Sequence, residues 1–204
     1  MNMKVKPIKS FEAEPWLLQK HYAKRIPSIV YAFGLYEGTE LLGVVTYGIP
    51  ASYTLCNGIC GKEWADKVLE LNRLCLQKNK KNEASFLVGN SLKLLPDPTV
   101  VVSYADSGKG HVGYVYQATN FMFTGTTKER TDPFSDGKHH RHVVDSSIRQ
   151  TRSAKHRYVY IVGSKKNRKE LLNCLNYKSE PYPKGETKRY DAGGTVATQE
   201  LLFA

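Results

Sequence analysis

The stretch SGKGHVGYVYQATNF, residues 107–121, carries Gly108-x-Gly110-x-x-Gly113. It follows an apolar run, TVVVSYAD, and opens onto a segment with helical character. That spelling belongs to a dinucleotide-binding turn, in which glycines bring the backbone close to a pyrophosphate at a helix N-terminus. Ser103 and Asp106 stand just ahead of it, at the carboxyl end of a run that reads as a parallel strand buried on both faces. Open α/β sheets place their ligands there. Asp106 is most simply a helix cap; its other reading is a group that orients an amine or accepts its proton. Arg73 lies inside another apolar run, VLELNRLCL, where a buried guanidinium needs a partner. Glu70 or Asp106 would make a structural ion pair; a donor carboxylate or a phosphate would make a functional one, held bidentately. His21, followed by Tyr22 near the end of the first amphipathic segment, is either a base or iron ligand or an ordinary polar cap.

A nicotinamide fingerprint normally occupies the first βαβ unit of a doubly wound domain. Here it falls past the middle of 204 residues, and too little chain follows to build the second half of such a sheet. Glu129 and Asp132 lie near the distance expected for a ribose-binding acid, but in a polar loop beyond the next strand. The nicotinamide reading is therefore rejected. The glycines are expected to serve geometry: Gly108 and Gly110 for a sharp strand-to-helix turn, and Gly113 for close approach of helix to sheet.

The elements that must position these residues follow from periodicity. MKVKPI alternates as a half-buried strand, and a helix starting at Ser10 or Glu14 ends before Pro27. SIVYAFGLYEGTELLGVVTYGIP reads as a hairpin turning at Glu37-Gly38. ASYTLCNGICGKEWADK reads as a loop with a short helix, VLELNRLCL as a strand and ASFLVGNSLKLL as an amphipathic helix. After TVVVSYAD come the helix HVGYVYQATNF, the strand FMFTGTT, a basic loop or insertion over about 128–155, the strand KHRYVYIVG and the short helix KNRKELLNCL. Strand–helix alternation in the second half predicts parallel crossovers. The expected fold is α/β, with a mixed sheet and helices on both faces, in a single domain over residues 1–204.

With 41% apolar residues the chain can bury a substantial core, and no run approaches the ~18 apolar residues of a membrane span. The N-terminus lacks the apolar segment of a signal peptide, so a cytoplasmic location is expected. Cys56 and Cys60 supply half a metal site that nothing nearby completes, and all four cysteines are expected as reduced, packed thiols. The net charge of +11 is uneven. Residues 138–170 hold ten Lys or Arg against Asp145 and Glu170. Clustered positive charge suits a polyanion, because each neutralised phosphate releases condensed counterions; the plainer reading is a solvated surface. The phosphate-facing residues expected from this segment are Lys138, His140, Arg141, Arg149, Arg152 and Lys155. Consecutive histidines at 139–140 on a basic loop make poor metal ligands.

Tyr116-Gln117-Ala118-Thr119-Asn120-Phe121, followed by a strand and Gly125, resembles the closing segment of GNAT-type acyltransferases, and the element order is similar to theirs. That resemblance implies that Tyr116 protonates a leaving group, against a plain role in core packing. Where those enzymes carry a glycine-rich loop for the coenzyme A pyrophosphate, this chain has QKNKKN, which departs from the pattern. HYAKRIPS, ELNRLCL, ASFLVGNSLKLL, SYADSGKGHVGYVYQATNFMFTG and KHRYVYIVG, in that order, resemble the Mom family of phage DNA-modification proteins. The resemblance implies a GNAT-like fold and addition of an acetamido-type, glycinamide-like group to adenine N6 in double-stranded DNA, protecting it from restriction. It implies His21 and Tyr22 as catalytic residues, and it brings acetyl-CoA, a glycyl donor and iron, with His21 as a ligand, as the cofactors to consider. The site expected is thus catalytic His21, Tyr22, Ser103, Asp106 and Tyr116, with Arg73, Ser85, Gly108 and Gly110 holding the donor. An adenine inside a duplex must leave the stack to be reached, and Phe134, Tyr158 or Tyr160 are the aromatics expected to receive it or its neighbours. A conventional N-acetyltransferase and a non-enzymatic DNA-binding accessory protein are the alternatives.

Overall fold

The computed structural model describes residues 2–21, 23–133 and 149–185. Tyr22, Phe134, Lys138, His139, His140, Arg141 and His142 lie outside the described residues. Seven strands form one sheet in the order β1 (Met3–Ile8), β2 (Tyr31–Glu37), β3 (Glu40–Gly48), β4 (Val68–Leu76), β5 (Thr99–Asp106), β9 (Lys155–Val162), β6 (Met122–Thr126). A separate two-stranded ladder pairs β7 (Arg130–Pro133) with β8 (Arg149–Arg152). This is the mixed α/β class expected from the sequence.

Two apolar layers cover the sheet. On one face, α3 (Glu83–Leu92) and α4 (Tyr114–Ala118), with Phe121 just after it, pack Leu87, Val88, Leu92 and Phe121 onto Val45, Tyr47, Leu71, Val101 and Tyr158. On the other, α2 (Tyr53–Cys60) and α5 (Lys165–Cys174) bury Cys56, Ile59, Cys60 and Leu171 on Val68, Val100, Val102, Val159 and Ile161. Beside that second cluster, α1 (Ser10–Pro15) and the π-turn that extends it, Trp16–Lys20, set Ala13, Trp16 and Leu17 on Ala32, Val44 and Cys75. TVVVSYAD is central and buried from Thr99 to Ser103, which explains its lack of polar alternation. Cys56, Cys60 and Cys75 are buried free thiols; burial pushes that of Cys60 up to about 11.

Three expectations need correction. The first helical segment stops at Lys20, well before Pro27, because His21 is already extended and Lys24 takes a positive φ. The second half contributes only one parallel pair, β4 with β5; β5 and β6 both run antiparallel to β9, which lies between them. The crossover through α4 therefore leaves β5 an open edge, and the later strand fills it. The basic insertion is not simply a loop, since its two ends zip together as β7 and β8.

Candidate active site at the parting of two strands

β4 and β5 pair only over Val68–Val100, Leu69–Val101 and Glu70–Val102, although both strands continue. The cause is local. Thr46 faces Arg73 and Tyr47 faces Leu71, so Asn72 is an extra residue in β4. Such a bulge bends its strand and ends pairing. Asn72 is clamped from both sides: its Oδ1 accepts from Thr46 Oγ1 at 2.6 Å, and its Nδ2 donates to the Ser28 carbonyl at 2.8 Å. At the fork, Ser103 Oγ donates to the Leu71 carbonyl at 2.9 Å, where a backbone bond is no longer available. The bulge also reverses the pleat, so that Arg73 and Cys75 point to the same face as Glu70.

That face is polar around the parting. Burial pushes the Glu70 carboxyl up, while Arg73, Lys155 and Arg25 draw it partly back. Burial, with Glu70 next, raises the Tyr104 phenol. His21 is 8% exposed, and its Nδ1 accepts the Ala23 amide at 3.0 Å. Burial and then the Arg73 guanidinium lower its pKa to about 4, so it is neutral at pH 7. Arg157 closes the far side: it donates from Nε to Thr124 Oγ1 at 3.0 Å and stacks its guanidinium 3.4 Å from the centre of the Tyr177 ring. His21 and Arg73, remote in sequence, thus belong to one electrostatic cluster with Glu70 and Lys155.

Asp106 caps the short 3-10 turn Ser107–Lys109 by accepting the Gly108 amide at 3.0 Å, and the Ser153 hydroxyl donates to the same oxygen. Gly108 has no room for a side chain against Ser153, and Gly110 turns at φ 68. Gly113 has φ 74, and a Cβ there would fall on the Tyr158 ring, so the glycines do serve turn and close approach. Ser85 donates to the Asn82 carbonyl at 3.2 Å in the first turn of α3.

The opposite face of the parting is aromatic. Tyr116 packs 5.2 Å from Tyr158 and 5.4 Å from Phe121, and it is close enough to Tyr47 to influence its phenol. Since Tyr47 is on β3 and Tyr158 on β9, Tyr116 spans the fork between them. Tyr158 is 0% exposed, with its hydroxyl donating to the Val112 carbonyl and accepting from Gln117 Nε2. Tyr160 packs against Phe121 at 5.2 Å. Tyr158 is not available to stack on a base, which corrects that expectation for it, whereas Tyr160 is half-buried.

Among the expected DNA contacts, Arg152 pairs with Asp132 at 2.7 Å and Arg149 donates to the Thr131 carbonyl at 2.9 Å, so both brace the β7–β8 ladder. Lys155 lies opposite Asp106 at the mouth of the parting. Sequence reasoning named Glu70 only as a partner for Arg73 and passed over Tyr104 and Arg157. The available signal was a carboxylate in an otherwise apolar strand.

The residues present bear differently on the two cofactors. Among the described residues no group of three His, Cys, Asp or Glu is placed to hold a metal, so His21 gains no ligand set for iron. In the 77–82 loop, the Lys80 amide is already taken by the Glu83 carboxylate at 2.7 Å. A carboxylate in that place repels a pyrophosphate, so the coenzyme A cradle is not reproduced there. No helix among the described residues is long and apolar enough to cross a membrane.

The methylcarbamoylase Mom of Escherichia phage Mu is 28% identical over 203 residues, covering 89% of this chain and 84% of that protein. Among solved structures, an N-acetyltransferase from Staphylococcus aureus Mu50 is 14% identical, covering 79% of this chain and 99% of its own, at a TM-score of 0.49. The IAA acetyltransferase from Bacillus cereus is 11% identical, covering 78% and 99%, at 0.48. These structural likenesses carry no weight for the chemistry. The family is shown by sequence instead: the Mom family model matches residues 2–184, and the chain belongs to the Mom protein family.

Proposed function

We propose that this protein is a transferase that places an acetamido-sized group on adenine N6 of double-stranded DNA at the parting of β4 and β5. Family membership supports the reaction class, and the observation that carries the site is the Glu70–Arg73–His21 cluster at the bulge-forced fork. The exocyclic amine of adenine is a weak nucleophile, so its proton must leave as the new N–C bond forms. Glu70, whose carboxyl burial pushes up, is a better base for that proton than His21, whose pKa of about 4 makes it a poor one. Neutral His21 and cationic Arg73 then serve to orient acceptor and donor. As the donor bond breaks, Tyr116, on the other side of the fork, returns a proton to the leaving group. Arg73 holds a carboxylate or carbonyl of the donor, with Ser85, Gly108 and Gly110 as further donor contacts. Asp106 keeps the turn beside the mouth in shape. Coenzyme A, if it is the carrier, must place its phosphates elsewhere than on the Glu83-filled loop. Protection from restriction follows from chemistry alone, because bulk at N6 blocks the major-groove hydrogen bonds that read adenine.

The test is mass spectrometry of nucleosides from cells expressing the protein. The expected product is deoxyadenosine with an added acetamido-sized group, together with resistance of the DNA to enzymes whose sites contain adenine. Unmodified nucleosides beside folded protein would turn the reading to a conventional acetyltransferase.

A further inference from the structure

The reaction proposed above needs adenine to leave the duplex, Tyr158 is fully buried, and Tyr160 is half-buried against Phe121. The exposed apolar side chains are elsewhere. Ile49 is 62% exposed and Tyr53 65% exposed, four residues apart, Ile49 just after β3 and Tyr53 at the start of α2. Pro50 between them is buried, and the Ser52 carbonyl accepts the amides of Leu55 and Cys56 at 3.1 and 3.3 Å. Cys56, Ile59 and Cys60 then anchor α2 in the core. The tip is therefore held by packing and hydrogen bonds while its two large side chains face water.

Its position is set by the sheet. Gly48, one residue before Ile49, is the register partner of Glu70. The 23–30 loop runs alongside, since Gly48 backs onto the Ser28 carbonyl and the Val30 amide donates to the Tyr47 carbonyl at 2.8 Å. That loop adds exposed Ile26 and Val30, and the exposed cations Lys24 and Arg25; Arg25 also acts on Glu70. Residues 23–30 and 49–54 contain no acid. An apolar tip flanked by cations and bordering the reactive carboxylate suits phosphates around a base stack, and apolar wedges are how proteins part base steps.

We infer that Ile49 and Tyr53 form a wedge that enters the duplex beside the target adenine, Ile49 separating the base step and Tyr53 stacking on the exposed neighbour. The inference rests on the DNA reading above and adds the means by which the base is brought out. Unstacking opposes entry, and a tip already fixed in place offsets that cost better than a segment that must first be ordered.

The experiment uses duplex fragments in which 2-aminopurine replaces a fraction of the adenines, so that many sequence contexts are present at once. Its fluorescence rises when the base leaves the stack, and anisotropy reports binding separately. The full chain should bind and raise the fluorescence. The Ile49→Ser/Tyr53→Ser variant, altered only at exposed positions, should bind with the same salt dependence but with the rise reduced at least ~5-fold. Tyr53→Phe, which keeps the ring, should retain it. No duplex binding by the unaltered chain would sink the DNA reading itself. Binding with no rise, or a rise undiminished in the double variant, overturns the wedge alone. So does a double variant that loses binding altogether or changes its elution in size exclusion, since the patch is then a general adhesive surface or a contact between copies.

Discussion

The two faces of the parting between β4 and β5 are built from neighbouring residues of the same strands yet differ in chemistry. On the α3–α4 face, Tyr116, Phe121 and Tyr158 pack ring against ring over Leu71 and Ala105. On the α1–α2 face, Glu70, Arg73, His21 and Lys155 share a partly buried electrostatic cluster. The difference comes from the single extra residue Asn72. A regular strand would send Arg73 into the aromatic layer, where a guanidinium has no water and few acceptors. The bulge turns it to the polar side and separates β4 from β5 at the same stroke. One local irregularity therefore makes both the opening and its asymmetry.

The sharpest way to break this comparison is Glu70→Gln. If the polar face performs the proton transfer, modification of DNA should fall about 10²–10⁴-fold with the protein still folded. A wild-type rate would move the base to another residue. Tyr116→Phe asks whether the aromatic face takes part in chemistry at all. Removing one hydroxyl should change stability by no more than about 1 kcal/mol. A proton donor's loss should cost turnover about 10²-fold, whereas equal rates would leave Tyr116 as packing only.

The polar face should also show in the pH dependence of stability. His21 is neutral when folded, with a pKa of about 4 against 6.5 for the free side chain. Its contribution is present above about pH 6.5 and is lost as the pH falls toward 4, because the unfolded chain then binds the proton first. The loss amounts to at most about 3 kcal/mol. Denaturant midpoints measured across that window should flatten in His21→Phe. The smallest effect concerns the edge of the polar face. Arg149→Ala with Lys155→Ala should weaken duplex binding and reduce its salt slope by up to ~0.9 for each phosphate left without its cation. Arg152 is left intact because Asp132 needs it.

The glycine turn shows how far local patterns reach. Gly108, Gly110 and Gly113 were legible as geometry rather than cofactor binding because backbone conformation depends on the residue itself and its neighbours. The hairpin at Gly38, the amphipathic α3 and the buried β5 were legible for the same reason, through alternation or its absence. The strand pairing of the second half was not, since whether β5 keeps an open edge is decided by a strand fifty residues later. The aromatics misled for a related reason. Tyr158 and Tyr160 alternate with Val159 and Ile161, and both faces of β9 turn out to be covered.

By itself the sequence determined the α/β class, the family and the residue types at the site, because periodicity and motif spelling are properties of contiguous chain. The tertiary structure alone decided which of those residues meet. Glu70, Arg73, His21 and Lys155 come from three separate segments, and Arg73 acts on both Glu70 and His21 because a bulge at Asn72 turns it to their face of the sheet. Burial then shifts Glu70 up and His21 down, since desolvation opposes whichever form is charged, and desolvation is a property of the packed fold rather than of any segment.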